Sequence, residues 1–502
     1  MPNKSLNKVI MLNTLTGWID KVVSIIVNFI IRPILISGLG ISIFGVWEML
    51  NRMTELVAST DLRAATTVKW FLSINREKET PEVLNRSISA GFFASVCTLP
   101  LYVVLGCVIV YFAPYVTKVD ASWFFVVRFS ASFLLLSFII TQVFFIYEQI
   151  LQGMNIAYKR IGVRSVITII GGLVTYLVLK KDYGLLGLVG VNLLVVIATG
   201  VTYWLVVRAN LRWVRIHTVS WKEVLSFVKI SIDFLIDKLL SIMHRSIDIL
   251  FLGYLLSSAV VTSYTVSSYV MASLIGFMSM IVSSIITGIT PLVKENNVSK
   301  LLFFRSYIYL LLILIYAMAS ILILIFNDSF ISLWTQKNLF LGQFNNLLIV
   351  IFLFLRIITD VDKSFLCMYL KIKTANVNAT ISLVVMLVAV FVFIRLMGVT
   401  GMLAGLILSQ VCLLSLNAVS LKNIMRTNLK TLVNVPFRLI MVVLVLLIMS
   451  YMIGEYIIVD SWMQLFVYFI LVLCIVASFI YWIGLDRKMR LLIFEQIKKM
   501  KK

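Results

Sequence analysis

Ile19-Asp20-Lys21-Val22-Val23-Ser24-Ile25 lies within the first hydrophobic segment, and Ile236-Asp237-Lys238-Leu239-Leu240-Ser241-Ile242 repeats the phrase 217 residues later. At the same offset Phe44-Gly45-Val46-Trp47 faces Val261-Thr262-Ser263-Tyr264, a weaker match that shares one aromatic position. A hydrophobic chain that repeats itself at this distance predicts two related helix bundles. The repeated phrase also puts an acid and a base where charge is expensive. Together these features predict a transporter with its site between two lobes.

Composition agrees with a membrane setting. Of 502 residues, 61% are hydrophobic, and a spanning helix needs roughly 20 apolar residues. Hydropathy predicts an all-α polytopic protein with about 14 transmembrane helices. They lie near residues 10–36, 41–60, 89–113, 122–148, 162–179, 184–207, 227–255, 258–290, 303–326, 342–369, 376–396, 401–421, 437–455 and 462–484. These sort into two pseudo-symmetric six-helix lobes, an N-lobe (1–209) and a C-lobe (227–430), joined by a linker (210–226). A closing helix pair and a basic tail (431–502) follow. The segments between spans are short and leave no room for a soluble domain.

The formal charge is +22, from 44 Lys and Arg against 22 Asp and Glu. Most of the excess falls in alternate loops. Examples are Lys69, Arg76 and Arg86 after the second span, Lys159, Arg160 and Arg164 after the fourth, and Arg208, Arg212, Arg215 and Lys222 after the sixth. This alternation predicts a multi-pass membrane protein with both termini in the cytoplasm. In the linker Trp213 and Trp221 stand among Arg212, Arg215, His217 and Lys222, which predicts an amphipathic helix on the membrane surface. Arg487 to Lys502 reads as a second surface anchor. Pro100 lies inside the third span and predicts a kink. The five cysteines fall in apolar stretches and read as small buried hydrophobes without a disulfide.

The remaining charges lie inside spans. Glu48, Arg52 and Glu55 share one helical face, which predicts either a self-neutralising ladder or part of a polar site. At 1.5 Å per residue, Lys21 and Arg52 each lie roughly 16 Å from a membrane face, near the midplane. In the seventh span Asp233, Asp237, Ser241, His244 and Asp248 fall on one face, flanked by Lys238 and Arg245. Arg128 lies in the fourth span and Arg356 in the tenth. For each of these a helix-pairing role stands against substrate contact.

Several chemistries find no support. There is no GxxxxGK[ST] phosphate loop for ATP hydrolysis. Asp360-Val361-Asp362 matches the DxD of metal-using glycosyltransferases, but no nucleotide-sugar domain surrounds it. Only two histidines exist, in different surroundings, so no metal constellation stands out. The chain reads as a transporter rather than an enzyme.

Arg32-Pro33-Ile34-Leu35, Gly38-Leu39-Gly40, Phe44-Gly45-Val46-Trp47, Asp61-Leu62, Leu151-Gln152-Gly153, and Ile247-Asp248-Ile249 with Leu252-Gly253 carry a family resemblance. The chain resembles the polysaccharide and O-antigen flippases of the multidrug/oligosaccharidyl-lipid/polysaccharide exporter superfamily. Arg63 departs from the glycine that similar proteins often carry after Asp-Leu. The resemblance implies a polyprenyl-pyrophosphate-linked oligosaccharide, an O-antigen or similar repeat unit, carried from the cytoplasmic to the outer leaflet of a bacterial plasma membrane. Alternating access would move it, in the service of polysaccharide or lipopolysaccharide biosynthesis. Membrane lipids, a polysaccharide polymerase and chain-length machinery are the implied partners. No nucleic acid and no cofactor are implied beyond a coupling proton or sodium ion. On this reading Lys21, Arg52, Lys238 and Arg356 hold the pyrophosphate, and Arg245 and Arg128 guide it. Asp20, Asp233, Asp237 and Glu48 pair with those cations or bind the coupling ion.

Two alternatives stand beside it. A cation-coupled multidrug antiporter of the same fold should favour acids and aromatics at its cavity. A membrane polysaccharide polymerase or ligase should show a sizeable external loop, whereas 114–121 and 327–341 are short.

Overall fold

A long run of Leu, Ile, Val and Phe in lipid must satisfy its backbone internally, and the helix does so within one segment. The computed structural model describes residues 3–60, 64–295, 297–428 and 437–484, with the side chains at 3–11, 14, 64, 226–227, 229–234 and 294 outside that description. Among the described residues eleven helices are long and apolar enough to cross a membrane. One of these, Ile372–Met425, is two helices joined at Gly398, where φ is 60° and ψ −132°, a conformation that glycine adopts and other residues resist. Helices α2 (Ile41–Ser59) and α9 (Trp221–Leu255) also reach spanning length, with charges aboard. Each expected span thus falls on helix, the eighth on two, Ser258–Ser267 and Tyr269–Ile289. The chain divides into two compact units, Met1–Thr262 and Ser263–Lys502.

In the first unit α1 (Asn3–Leu39) packs on α7 (Val163–Lys180), α6 (Phe124–Gly153) on α8 (Gly184–Asn210), and α2 on α9. The start of α2 meets the start of α10 (Ser258–Ser267), where Thr262 Oγ1 donates to the Ile41 carbonyl at 2.6 Å. A Cβ on Gly45 would fall on the Ser258 carbonyl, a backbone group that cannot step aside. Gly45→Ala is expected to destabilise the protein by about 2–3 kcal/mol. The thermal midpoint of detergent-purified protein measures this, and an unchanged midpoint would contradict the packing.

Three local features differ from expectation. Residues read as loop after the second span form α3 (Ala64–Asn75), too short to span. Its Ala65, Val68 and Leu72 share one face and bury against Ile146, Ile150 and Val207, while Lys69 Nζ donates to Gln152 at 2.8 Å. The third span is two helices, α4 (Pro81–Val96) and α5 (Leu99–Val116), and Pro100 starts the second instead of kinking one. In a first turn its missing N–H leaves no bond unmade. The linker is not an amphipathic helix: residues 211–220 run without helix until α9 begins. Side chains of α4 take up its backbone, with Arg215 N donating to Asn85 Oδ1 at 2.9 Å and His217 N to Ser89 Oγ at 3.0 Å. Leu211 and Val214 bury in the same cluster as α3. Backbone satisfied this way does not need helical bonds. Asp61-Leu62, Arg63 and the strip 487–502 lie outside the described residues.

The second unit contains α11 (Tyr269–Ile289), the one-turn α12 (Pro291–Lys294), α13 (Val298–Thr335), α14 (Gln343–Met368) and α15, the broken pair at Gly398. The closing helices, Phe437–Gly454 and Trp462–Phe479, pack on α13 through Leu439, Val443 and Val476 against Ile321, Ile325 and Phe326. Polar contacts join the helices where lipid supplies no hydrophobic drive. Asn327 donates to Asn346 at 2.9 Å, Thr359 to Gln410 at 2.8 Å, and Ser382 bonds Ser409 at 2.9 Å. All five cysteines are free, and Cys97, Cys107 and Cys474 are exposed rather than buried. A thiol is apolar enough to sit on a helix surface that lipid would cover.

Candidate functional site

Adjacent residues on a helix point about 100° apart, and α1 uses this to separate Asp20 from Lys21. Asp20 turns into the first unit. Its carboxylate accepts from Arg160 Nη1 and Ser165 Oγ, both at 2.9 Å. Arg160 is 6% exposed. It also donates to Tyr203 Oη at 2.8 Å, lies 4.9 Å from the centre of that ring and pairs with Glu148 at 3.4 Å. Asp20 is thus one part of a buried ion-pair lock. Lys21 is exposed and makes no ion pair among the described residues.

The expected ladder on α2 divides. Arg32 of α1 takes Glu48 at 3.1 Å, while Arg52 pairs with Glu55 at 2.7 Å. Helical spacing puts the three groups on one face, but a neighbouring helix supplies a second cation that spacing cannot reveal. Ser246 of α9 donates to Glu55 at 3.3 Å, and Asp248 beside it is buried. The polar faces of α2 and α9 therefore meet. Next to them a cavity of about 200 Å³ is lined by Asn51, Thr54, Glu55 and Ala58 of α2, by Leu134, Ser137, Phe138 and Thr141 of α6, and by Asn192 and Val196 of α8. Amides, hydroxyls and one carboxylate stand there among alanine, leucine, phenylalanine and valine walls.

The other expected residues each have their own surroundings. Arg128 lies over the rings of Tyr111 at 5.1 Å and Phe124 at 5.8 Å, without an acidic partner among the described residues. Arg245 is exposed and donates to the Ser241 carbonyl at 3.3 Å. Asp237 and Lys238 are half-buried on α9 and both engaged by neighbours. The Asp233 side chain lies outside the described residues. Arg356 is half-buried on α14, in the second unit, and is also engaged.

Sequence reasoning passed over a second lock. Arg305, on α13, pairs with Asp362 of α14 at 2.6 Å, and Tyr309 Oη donates to the same oxygen at 2.6 Å. Arg305 is 1% and Asp362 0% exposed. Asp360 is exposed, so the two acids of the DxD face apart. The available signal was an arginine just inside the ninth apolar segment. No group of three His, Cys, Asp or Glu side chains placed to hold a metal occurs among the described residues.

No protein-family model matches this chain. A comparison with curated proteins also returns no match. Solved structures do share its fold. The lipid II flippase MurJ, in an inward closed conformation, aligns over 94% of this chain and 99% of its own, with a TM-score of 0.69 and 13% identity. A multidrug resistance MATE family transporter of the MOP superfamily, inward-facing, aligns over 81% of this chain and 96% of its own, with a TM-score of 0.64 and 14% identity. The Vibrio cholerae MATE transporter VcmN aligns over 85% of this chain and 99% of its own, with a TM-score of 0.56 and 12% identity.

Proposed function

We propose that the protein is a flippase that carries a polyprenyl-pyrophosphate-linked oligosaccharide across a bacterial plasma membrane by alternating access. The charge left over inside the first unit's spans carries this reading. Asp20, Glu48 and Glu55 are engaged by Arg160, Arg32 and Arg52. Lys21, Arg128 and Arg245 have no acidic partner among the described residues. A lone cation within a bilayer costs about 2.5–3.5 kcal/mol on insertion scales, and an anionic cargo relieves that cost on arrival. The fold shared with a protein named as a lipid II flippase supports a lipid-linked cargo.

On this proposal Lys21, Arg52, Lys238 and Arg356 receive the pyrophosphate, and Arg128 and Arg245 guide it. The amides and hydroxyls in the cavity beside α2, on Asn51, Thr54 and Asn192, bond the sugar. Asp20, Asp233, Asp237 and Glu48 are the candidates to pair with these cations or to bind a coupling proton or sodium ion. An O-antigen-type repeat unit, a partner polymerase with its chain-length machinery, cytoplasmic termini and lobes of 1–209 and 227–430 belong to the same proposal. The test is translocation of a fluorescent polyprenyl-pyrophosphate oligosaccharide in proteoliposomes. Arg52→Ala and Lys238→Ala, at normal expression, are each expected to slow it about tenfold. Full rates in both would overturn the assignment. The MATE structures favour a second reading, a multidrug antiporter. Uptake of a cationic dye that lipid-linked sugar does not inhibit would put that reading first.

A further inference from the structure

We infer that the end of the first unit at which α6 and α8 finish holds a site for the phosphate headgroup of an anionic phospholipid, built from Arg208 and Arg215. A cavity of about 510 Å³ opens there, with Tyr147, Trp204, Arg208, Val214, Arg215 and Ile216 on its walls and no carboxylate. Arg208 lies 5.7 Å from the ring centre of Trp204. Neither arginine has an acidic partner among the described residues. Two positive charges therefore face one hollow with nothing to neutralise them.

The backbone holds this arrangement in place. Arg208 stands in the last turn of α8. Arg215 is positioned by the clamp on the linker, where its own N–H is held by Asn85 and the N–H two residues on is held by Ser89. Val214 turns inward, 5% exposed, and leaves Arg215 exposed at the cavity. The clamp thus fixes the backbone from which the Arg215 side chain extends.

The lining matches an amphiphile. A guanidinium presents paired N–H groups at the spacing of phosphate oxygens. Valine, isoleucine and indole surfaces suit the glycerol and upper acyl carbons. Trp and Tyr beside Arg is the composition of a membrane–water boundary. Lys159 Nζ donates at 2.6 Å to Asn210, two residues beyond Arg208. That is the face that the loop charges assign to the cytoplasm, where anionic lipids attract basic side chains. The carbonyl end of α8 repels an anion with roughly half a charge, and two full cations outweigh it. None of the cavity's walls comes from α1, α2 or α9, and failure of the flippase reading would leave the site intact.

The test uses full-length protein in detergent, titrated with phosphatidylglycerol, phosphatidylcholine or polyprenyl pyrophosphate. Thermal midpoint and native mass spectrometry are the readouts. Phosphatidylglycerol is expected to raise the midpoint and to remain as a retained lipid, and phosphatidylcholine to do neither. Arg208→Gln with Arg215→Gln should weaken phosphatidylglycerol about thirtyfold, while Arg212→Gln, exposed and off the cavity wall, should leave it unchanged. If the double variant does not fold, Arg215→Gln alone carries the comparison, with a loss of about fivefold. Equal binding of phosphatidylcholine would overturn the inference. So would undiminished binding by the variants, or polyprenyl pyrophosphate displacing phosphatidylglycerol at lower concentration.

Discussion

Lys21→Ala is expected to leave the protein folded and to slow glycan translocation tenfold or more, roughly the loss of one charge-assisted bond to phosphate. Its neighbour should behave in the opposite way. Asp20→Ala removes an acceptor of Arg160 and Ser165 inside the first unit, so it should lower the thermal midpoint before transport is considered. Lys21 holds up no such structure: it is exposed and makes no ion pair among the described residues. Lys21→Arg, which keeps the charge, should recover part of the rate. The measurement is initial translocation in proteoliposomes matched for protein content. A full rate in Lys21→Ala would remove this residue from the cargo's path.

Asp362→Ala is expected to deplete folded protein from detergent extracts. It strands the Arg305 guanidinium, 1% exposed, and leaves the Tyr309 hydroxyl without its acceptor. Breaking a buried ion pair from one side costs about 3–5 kcal/mol, which is a large share of a typical folding free energy. Removing every polar partner is a different experiment. Arg305→Leu, Asp362→Leu and Tyr309→Phe together remove all three members of the lock, and such replacements are often neutral or better. Size-exclusion profiles after a heating series compare the two. A single variant as heat-resistant as the parent would show that the pair carries little of the second unit's stability.

The spans were legible because apolar length is a one-dimensional property of the chain. Ion-pair partners were not, because they depend on which helices lie side by side. Glu48, Arg52 and Glu55 share a face by spacing, yet Arg32 of another helix takes Glu48. Arg160 read as one of the loop cations and proves to be the buried partner of Asp20. Residues 64–75 are short and interleaved with polar side chains, so hydropathy passes over them. The linker has the right residues for a surface helix, but Asn85 and Ser89 satisfy its backbone from outside. The cavity beside α2 draws its lining from three helices, and the sequence holds no local sign of it.

Each unit contains an arginine locked between an acid and a tyrosine, and the two locks are assembled differently. In one the arginine follows α6 and its tyrosine stands on α8. In the other the arginine and tyrosine sit one turn apart on α13. If the halves arose by duplication, the electrostatic demand outlived the letters that first met it. Kinship within such a chain is then better traced through the geometry of its charges than through its spelling. A search keyed to fixed residues would walk past both locks.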